Sequence, residues 1–373
     1  MRVLMLTSEF PPRIGGIATH VAGLAQALRE LNASVTVTVV APASPAPTGG
    51  EDQVIRYSPF IRAQPMADWA LGRWCRALVD AQPFDLLHVH GLRPLRAALT
   101  TGLPVLFTNH TSGFLQTLVT GGARLRKLAR LIARCDHLLA PSEELVAAAR
   151  TAGFRGPATY IPNGVDDTRF LPGEATELRQ HWGIAPHEIV VVIARRLVAK
   201  NGVADAARAL GLTSTTVRFV FVGEGPERAT IERELAANGG QARALLVGAL
   251  ANDRMPEVYR AADFCLLPSL MEATSIAGLE AMATGRALIG TRVGGIPALI
   301  ADGVTGLLVA PRDPPAIAAA VNALAHNREQ CTRMGHAGRA RVVAEFAWQR
   351  IAERTLQAYR ETLAAREIKI RQA

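Results

Sequence analysis

Cysteine is scarce: four in 373 residues, Cys75, Cys135, Cys265 and Cys331, far apart, with no C-x-x-C pair and no histidine at zinc-ligand spacing. That excludes a disulfide framework, offers no structural zinc site and points to a reducing compartment. Long apolar runs are missing too. Nothing approaches the ~18 unbroken apolar residues of a membrane-spanning helix. The opening MRVLMLTSEFPP has one basic residue, a short apolar run and two prolines, without the longer stretch and cleavage site of a signal peptide. The expectation is a cytoplasmic protein. Aromatics are only 5% of the chain, and no basic stretch is interleaved with them, so nucleic acid is not an expected partner. A G-x-G-x-x-G fingerprint is absent, as is an acidic residue in the ribose position after the second strand, which argues against a dinucleotide cofactor.

What is there is an ordinary globular composition, 49% hydrophobic and 20% charged, long enough for two domains that each bury a core. Lys and Arg outnumber Asp and Glu by 41 to 32, and the net charge of +9 favours anionic partners such as anionic lipid or a phosphorylated metabolite. Short apolar runs separated by helix-length segments predict an α/β protein with buried parallel strands. Six fall in the first half, at 2–8, 34–40, 85–90, 104–110, 137–142 and 158–164. Six more follow, at 188–195, 217–223, 243–249, 264–269, 287–293 and 306–311. The turn-rich stretch 161–187 marks the boundary. The expected organisation is a domain over 1–164, a second over 165–345 and a C-terminal helix over 346–373 packing back on the first. Segment 41–50, APASPAPTGG, reads as an exposed loop. Two doubly wound domains facing each other would line one cleft with the carboxyl ends of both sheets, where open α/β sheets bind ligands.

Gly15 and Gly16 stand between the first strand and a helix beginning near Ile17, where backbone N–H groups and the positive helix end can approach a phosphate; a plain tight turn is the alternative. In the second half, Glu272 and Glu280 are eight residues apart, and on one helix they would be offset by about 80° and 12 Å. Glu272 is therefore expected in the loop after the strand FCLLPS, with a helix starting near Ser275 to Ala277 and Glu280 in its first turns. Ser275, Ala277 and Gly278 would leave that helix end open to phosphate, with a glutamate on either side. The alternative is that Glu280 offsets the helix dipole and Glu272 is solvated. Residues 121–135, GGARLRKLARLIARC, set Arg124, Lys127, Arg130 and Arg134 at helical spacing against Leu125, Leu128, Leu131 and Ile132, a pattern that suits a peripheral contact with the anionic inner face of a membrane or a solvated helix face. WALGRWCRALV (69–79) adds Trp69 and Trp74 beside Arg73 and Arg76.

In order and spacing, the motifs P-P-R-I-G-G-I-A-T-H-V, F-D-L-L-H-V-H-G (84–91), F-T-N-H (107–110), I-P-N-G-V-D (161–166), A-R-R-L-V-A-K-N-G (194–202), V-G-E-G-P (222–226), A-A-D-F-C-L-L-P-S (261–269) and the segment 266–311 resemble the retaining glycosyltransferases of family 4 over nearly the whole chain. The resemblance implies the GT-B fold, two Rossmann-like domains facing across a cleft, the first binding acceptor. It matches Glu272 and Glu280 to the family's E-x7-E, the first glutamate contacting the donor sugar and the second the ribose. Arg196 matches the arginine that clasps the diphosphate. Where the family usually carries lysine, five residues later, this chain has Asn201, with Lys200 just before it; either the loop shifts so that Lys200 takes over, which is the expectation, or one phosphate contact is weakened. His110 matches the position that contacts the reacting sugar or acceptor, whereas His20, His88 and His90 are read as structural. The expected catalytic residues are thus His110, Glu272 and Arg196. Donor binding falls to Gly15, Gly16, Arg196, Lys200, Asn201, Glu272, Ser275, Ile276, Ala277, Gly278, Leu279 and Glu280. No D-x-D motif is present, and the resemblance implies no metal and no cofactor beyond the nucleotide diphosphate sugar. The implied reaction is retaining transfer of a hexose to an acceptor hydroxyl, commonly written as front-face displacement, in lipid-linked or polysaccharide assembly. The alternatives are a soluble product, such as a sugar phosphate or secondary metabolite, and a catalytically silent nucleotide-sugar-binding scaffold.

Overall fold

The computed structural model describes residues 1–13, 15–32, 34–43, 53–57, 66–110 and 113–372. The chain divides into two compact units, Met1–Gly164 with Trp348–Ala373, and Val165–Ala347.

The first unit is built on β1 (Arg2–Thr7), α1 (Gly16–Leu31), β2 (Thr36–Pro42), β3 (Val54–Tyr57), α2 (Met66–Ala81), β4 (Leu86–His90), α3 (Leu92–Ala98) and β5 (Val105–Thr108). It continues through α4 (Gly113–Thr120), α5 (Gly122–Ile132), β6 (His137–Ala140), α6 (Glu143–Thr151) and β7 (Ala158–Tyr160). Its seven strands are parallel in the order β3-β2-β1-β4-β5-β6-β7. The order reverses between β1 and β4, and the crevice at that switch point is where such a sheet takes its ligand. On the last rung of β4, His90 lies opposite Thr7 of β1 and Thr108 of β5. β3 was not among the expected strands: four half-buried residues give too short an apolar run to stand out. Of the loop expected at 41–50, Ala41 and Pro42 belong to β2 and 44–50 lie outside the described residues.

The second unit comprises α7 (Thr176–His181), β8 (Ile189–Ala194), α8 (Val203–Leu210), β9 (Val217–Val222), α9 (Arg228–Ala237), β10 (Ala244–Gly248), α10 (Met255–Ala261) and β11 (Phe264–Leu267). Then come α11 (Ile276–Ala283), β12 (Ala287–Thr291), α12 (Ile296–Leu299), β13 (Gly306–Val309), α13 (Pro314–His326) and α14 (Arg328–Glu345). The sheet is again parallel, in the order β10-β9-β8-β11-β12-β13, so its switch point lies between β8 and β11. Successive strand side chains point to opposite faces, and both faces are buried. Val191, Ile193, Phe219 and Phe221 fill one core, Val190, Val192, Val220 and Val222 the other.

The last helix, α15 (Trp348–Gln372), belongs to the first unit and packs along α1. Ile351, Leu356 and Tyr359 join Val21, Leu24 and Leu28 in that core. Two buried polar bonds fix its register: Tyr359 Oη to His88 Nδ1 at 2.7 Å and Thr362 Oγ1 to His137 Nδ1 at 3.1 Å. Trp348 is held between two glycines, for a β-carbon on Gly23 or Gly164 would lie 2.3 Å from its indole.

Candidate functional site

At the switch point of the first sheet, His20 from α1, His90 from the end of β4 and His110 beyond β5 converge. Their ligand nitrogens all lie within 4.8 Å of one another. The His20 and His110 rings meet edge to face with centroids 4.6 Å apart, and His90 stacks on His110 at 5.3 Å. His20 Nδ1 donates to Asn163 Oδ1 at 2.9 Å, which leaves its Nε2 an acceptor. His90 Nδ1 and His110 Nε2 share a hydrogen bond of 3.0 Å, while His90 Nε2 is buried with no partner among the described residues. Burial holds these rings neutral: it pulls His20 down to about 4 and His90 and His110 well below 6.5, the neighbouring imidazoles adding to the effect in the latter two. A neutral imidazole here can exchange a hydrogen bond with a hydroxyl but carries no charge to it. This trio is the one group among the described residues with the ligand density for a metal ion, and the His90–His110 bond already engages two of its nitrogens. His88 differs: both its nitrogens are satisfied, by Tyr359 and by Thr108 Oγ1 at 2.6 Å.

Gly15 and Gly16 start α1, Gly15 as the residue ahead of its first turn and Gly16 as the first helical position, one before the expected start. No side chain caps this end, so its first N–H groups keep their capacity for an acceptor.

At the second sheet's switch point the loop after β8 carries two arginines of opposite fate. Arg196 is exposed and has no ionic partner among the described residues. Arg195 turns in, its side chain 7% exposed, donating Nη1 to Ser269 Oγ and pairing through Nη2 with the carboxylate of Glu272. Asn201 is buried; its Nδ2 donates to the Arg196 carbonyl at 2.7 Å and its Oδ1 accepts from Arg195 Nη2 at 3.3 Å. It braces the loop and does not reach outward. Lys200 is exposed and unpaired among the described residues, while its carbonyl accepts the backbone N–H of Leu270 at 2.8 Å and of Met271 at 3.2 Å. Gly202 closes the turn at φ +65°, so near β11 that a β-carbon would sit 1.8 Å from the Pro268 oxygen.

Glu272 lies in the loop ahead of α11, where its carbonyl accepts from Gly295 N at 3.1 Å. Ser275 caps α11, its Oγ accepting from Gly278 N at 3.2 Å. Two expected phosphate contacts are therefore spent locally. The Gly278 N–H is taken by the cap, and its α-carbon faces the core, where a β-carbon would lie 2.8 Å from Leu267 and Leu299. Leu279 is fully buried in that same core. The N–H groups of Ile276 and Ala277 remain at the helix mouth, and both residues are half-buried. Glu280 is buried, accepts from Tyr259 Oη at 2.8 Å, and is pushed by burial from 4.5 up to about 7, with the Tyr259 hydrogen bond and the charge of Arg169 opposing the rise.

The sequence profile described as Glycosyl transferases group 1 matches residues 174–341, and that described as Glycosyltransferase Family 4 matches residues 14–169. Alpha-maltose-1-phosphate synthase of Mycolicibacterium smegmatis is 30% identical over 98% of this chain and 100% of its own length. The chain belongs to glycosyltransferase family 4. A further relative of this family 4 glycosyltransferase is the GDP-mannose-dependent alpha-(1-6)-phosphatidylinositol monomannoside mannosyltransferase of Mycobacterium tuberculosis, 29% identical over 98% of this chain and 100% of the relative. In fold it is similar to sucrose-phosphate synthase from Thermosynechococcus elongatus, with a TM-score of 0.83, 22% identity, and 98% and 100% of the two chains covered. Both units are Rossmann-like, in keeping with the GT-B fold.

Three features of this glycosyltransferase's sites were not legible beforehand. Nothing in the sequence sets Arg195 apart from Arg196, the two standing together just past the end of β8. His20 and His90, read as structural, share the cluster with His110. The amphipathic helix expected at 121–135 is α5, and its apolar side is spent inside the unit: Leu128 and Ile132 are buried, Leu125 and Leu131 half-buried. Its exposed residues include Ala123, Arg124, Arg126, Lys127 and Arg130, beside the partly exposed Leu125 and Leu131. No helix among the described residues is long and apolar enough to cross a membrane.

Proposed function

We propose that this glycosyltransferase moves a hexose from a nucleoside diphosphate sugar to an acceptor hydroxyl with retention of anomeric configuration. The observation that carries the reading is the second unit's switch point, where two cations unpaired among the described residues, Arg196 and Lys200, stand on a loop locked by the Arg195–Glu272 ion pair to the mouth of α11. A diphosphate bound there meets two positive charges and two helix N–H groups, which stabilise the charge that develops as it leaves. Lys200, with Asn201 turned inward, supplies the second cation. Glu280 takes the ribose hydroxyls with the lone pairs Tyr259 leaves free, and Glu272, aligned by Arg195, takes the sugar hydroxyls. In the transfer the bond from the anomeric carbon to the phosphate oxygen breaks, the acceptor oxygen bonds to that carbon, and its proton passes to the departing diphosphate. His110 orients a sugar hydroxyl as a neutral partner. The mannosyltransferase relative, GDP-mannose-dependent by name, supports the donor class.

A soluble acceptor is the second reading, favoured by the burial of Leu128 and Ile132 of α5, which leaves only the half-buried Leu125 and Leu131 on its apolar side. The test is a thermal-shift panel of UDP-, GDP- and ADP-sugars followed by proton NMR of the product. A stabilising donor at 100 times its dissociation constant raises stability by about 2.7 kcal/mol, and its product should keep the donor's anomeric configuration. An inverted product would refute the retaining mechanism, and no stabilisation by any donor would refute the donor class.

A further inference from the structure

The three histidines at the first sheet's switch point come from separate stretches of one unit, and each leaves a nitrogen within reach of the others. His20 donates Nδ1–H to Asn163 Oδ1 at 2.9 Å, so its lone pair is on Nε2. An imidazole held through its far N–H by a carbonyl is the arrangement that metal-bound histidines almost always show. His90 and His110 share one proton along the 3.0 Å bond between Nδ1 and Nε2. His90 Nε2 is buried with no partner among the described residues, so no second hydrogen bond fixes which nitrogen of that ring carries its proton. His88, two residues earlier on β4, is excluded from the set because Tyr359 and Thr108 take both its nitrogens.

Spacing and chemistry agree on the class of ligand. Two nitrogens bound tetrahedrally to one zinc ion, each at about 2.0–2.1 Å, stand roughly 3.3 Å apart. The His90–His110 pair is already close to that at 3.0 Å, and the ligand nitrogens of all three lie within 4.8 Å of one another. The widest pair therefore has at most roughly 1.5 Å to close, which a small turn about the broad χ2 torsion of one imidazole supplies. Neutral imidazoles suit zinc and its transition-metal neighbours, whereas magnesium and calcium take oxygen ligands. Three protein ligands leave a fourth position for water, and His110, which is half-buried, keeps the cluster open to solvent.

We propose that His20, His90 and His110 form a binding site for a zinc-class divalent cation, which takes the place of the proton shared by His90 and His110. That proton moves to the other nitrogen of the ring that carried it, and His90 Nε2 is free to receive it. Occupation has a consequence that rests on reading His110 as the neutral partner of a sugar hydroxyl: the ion removes His110 from that contact, so zinc inhibits transfer and a chelator restores it.

Calorimetric titration with zinc chloride should show one equivalent bound tightly by the wild type, and titration with magnesium chloride none. X-ray absorption at the zinc edge of the wild-type complex should show three imidazole nitrogens at about 2.0–2.1 Å. His90→Gln or His110→Gln should weaken binding at least tenfold. Asn163→Ala, which removes only the partner of His20, should weaken it by about tenfold, the lower end of the roughly 10–100-fold that loss of an orienting residue costs. His336→Gln, on the exposed side of α14, should change nothing. Circular dichroism checks that each variant folds, and should one fail, the absorption spectrum of the wild type decides alone. No zinc bound, a zinc shell made mostly of oxygens, or binding kept in His90→Gln and lost in His336→Gln overturns the proposal. Zinc held by the three imidazoles without inhibition of transfer supports the site and overturns the role given to His110. Absence of any sugar transfer by the metal-free wild type would instead overturn the proposed activity and leave the binding result standing.

Discussion

Arg195 and Glu272 show how one residue pair can join two functions. The guanidinium is almost wholly buried and the carboxylate mostly so, and breaking such a pair leaves an uncompensated charge at a cost of about 3–5 kcal/mol in a fully buried case. Arg195→Ala should therefore lower both stability and turnover, whereas Arg195→Ala with Glu272→Ala should regain stability and remain inactive; denaturation and rate measurements on the cycle decide it. Lys200 and Asn201 should split the other way. Lys200→Ala is expected to lose turnover with stability intact, and Asn201→Ala to lose stability by about 1–3 kcal/mol, because the Arg196 carbonyl and Arg195 guanidinium it braces would be left short of a partner. Glu280 adds a pH signature. With its carboxyl raised from 4.5 to about 7, the folded chain holds more protons than the unfolded chain between those values, so stability falls as pH rises through the window. The full shift corresponds to an upper limit of about 3 kcal/mol. Denaturation at pH 5 and pH 8 should show that fall in the wild type and a flatter profile in Glu280→Gln.

At the scale of elements, the parallel strands were legible because most are buried on both faces and so print apolar runs; twelve of the thirteen strands among the described residues fall on runs read from the sequence. Glu272 in a loop and Glu280 inside a helix were also legible, since on one helix the two would stand about 80° and 12 Å apart and need not form a pair. What could not be read was long-range pairing. Arg195 meets Glu272 across 77 positions and His88 meets Tyr359 across 271, and local pattern carries no trace of either. The same holds for Gly278, whose smallness looked like room for phosphate and serves close packing against Leu267 and Leu299. The seat of α15 is a further long-range feature. A methyl group on Gly164 overlaps the Trp348 indole, which also stands edge-on to His20 at 5.5 Å. Gly164→Ala should cost about 1–3 kcal/mol of overpacking. Scanning calorimetry should record a lower melting temperature, and limited proteolysis should cut α15 sooner.

For the molecule as a whole, each sheet reverses its strand order once, and each reversal collects the polar residues the fold does not need for its core: histidines in the first unit, arginines and glutamates in the second. The central claim is that the second of these is the nucleotide-sugar site, with Glu280 on the ribose and Glu272 on the sugar. Calorimetric titration of a free nucleoside diphosphate at pH 8, where Glu280 is ionised, tests it most directly in the wild type, Glu280→Gln and Glu272→Gln. A hydrogen bond to a charged group is worth about 1.5–3 kcal/mol, so Glu280→Gln should weaken binding by roughly ten- to a hundredfold while Glu272→Gln leaves it unchanged. Equal losses in the two variants, or none in Glu280→Gln, would contradict the account.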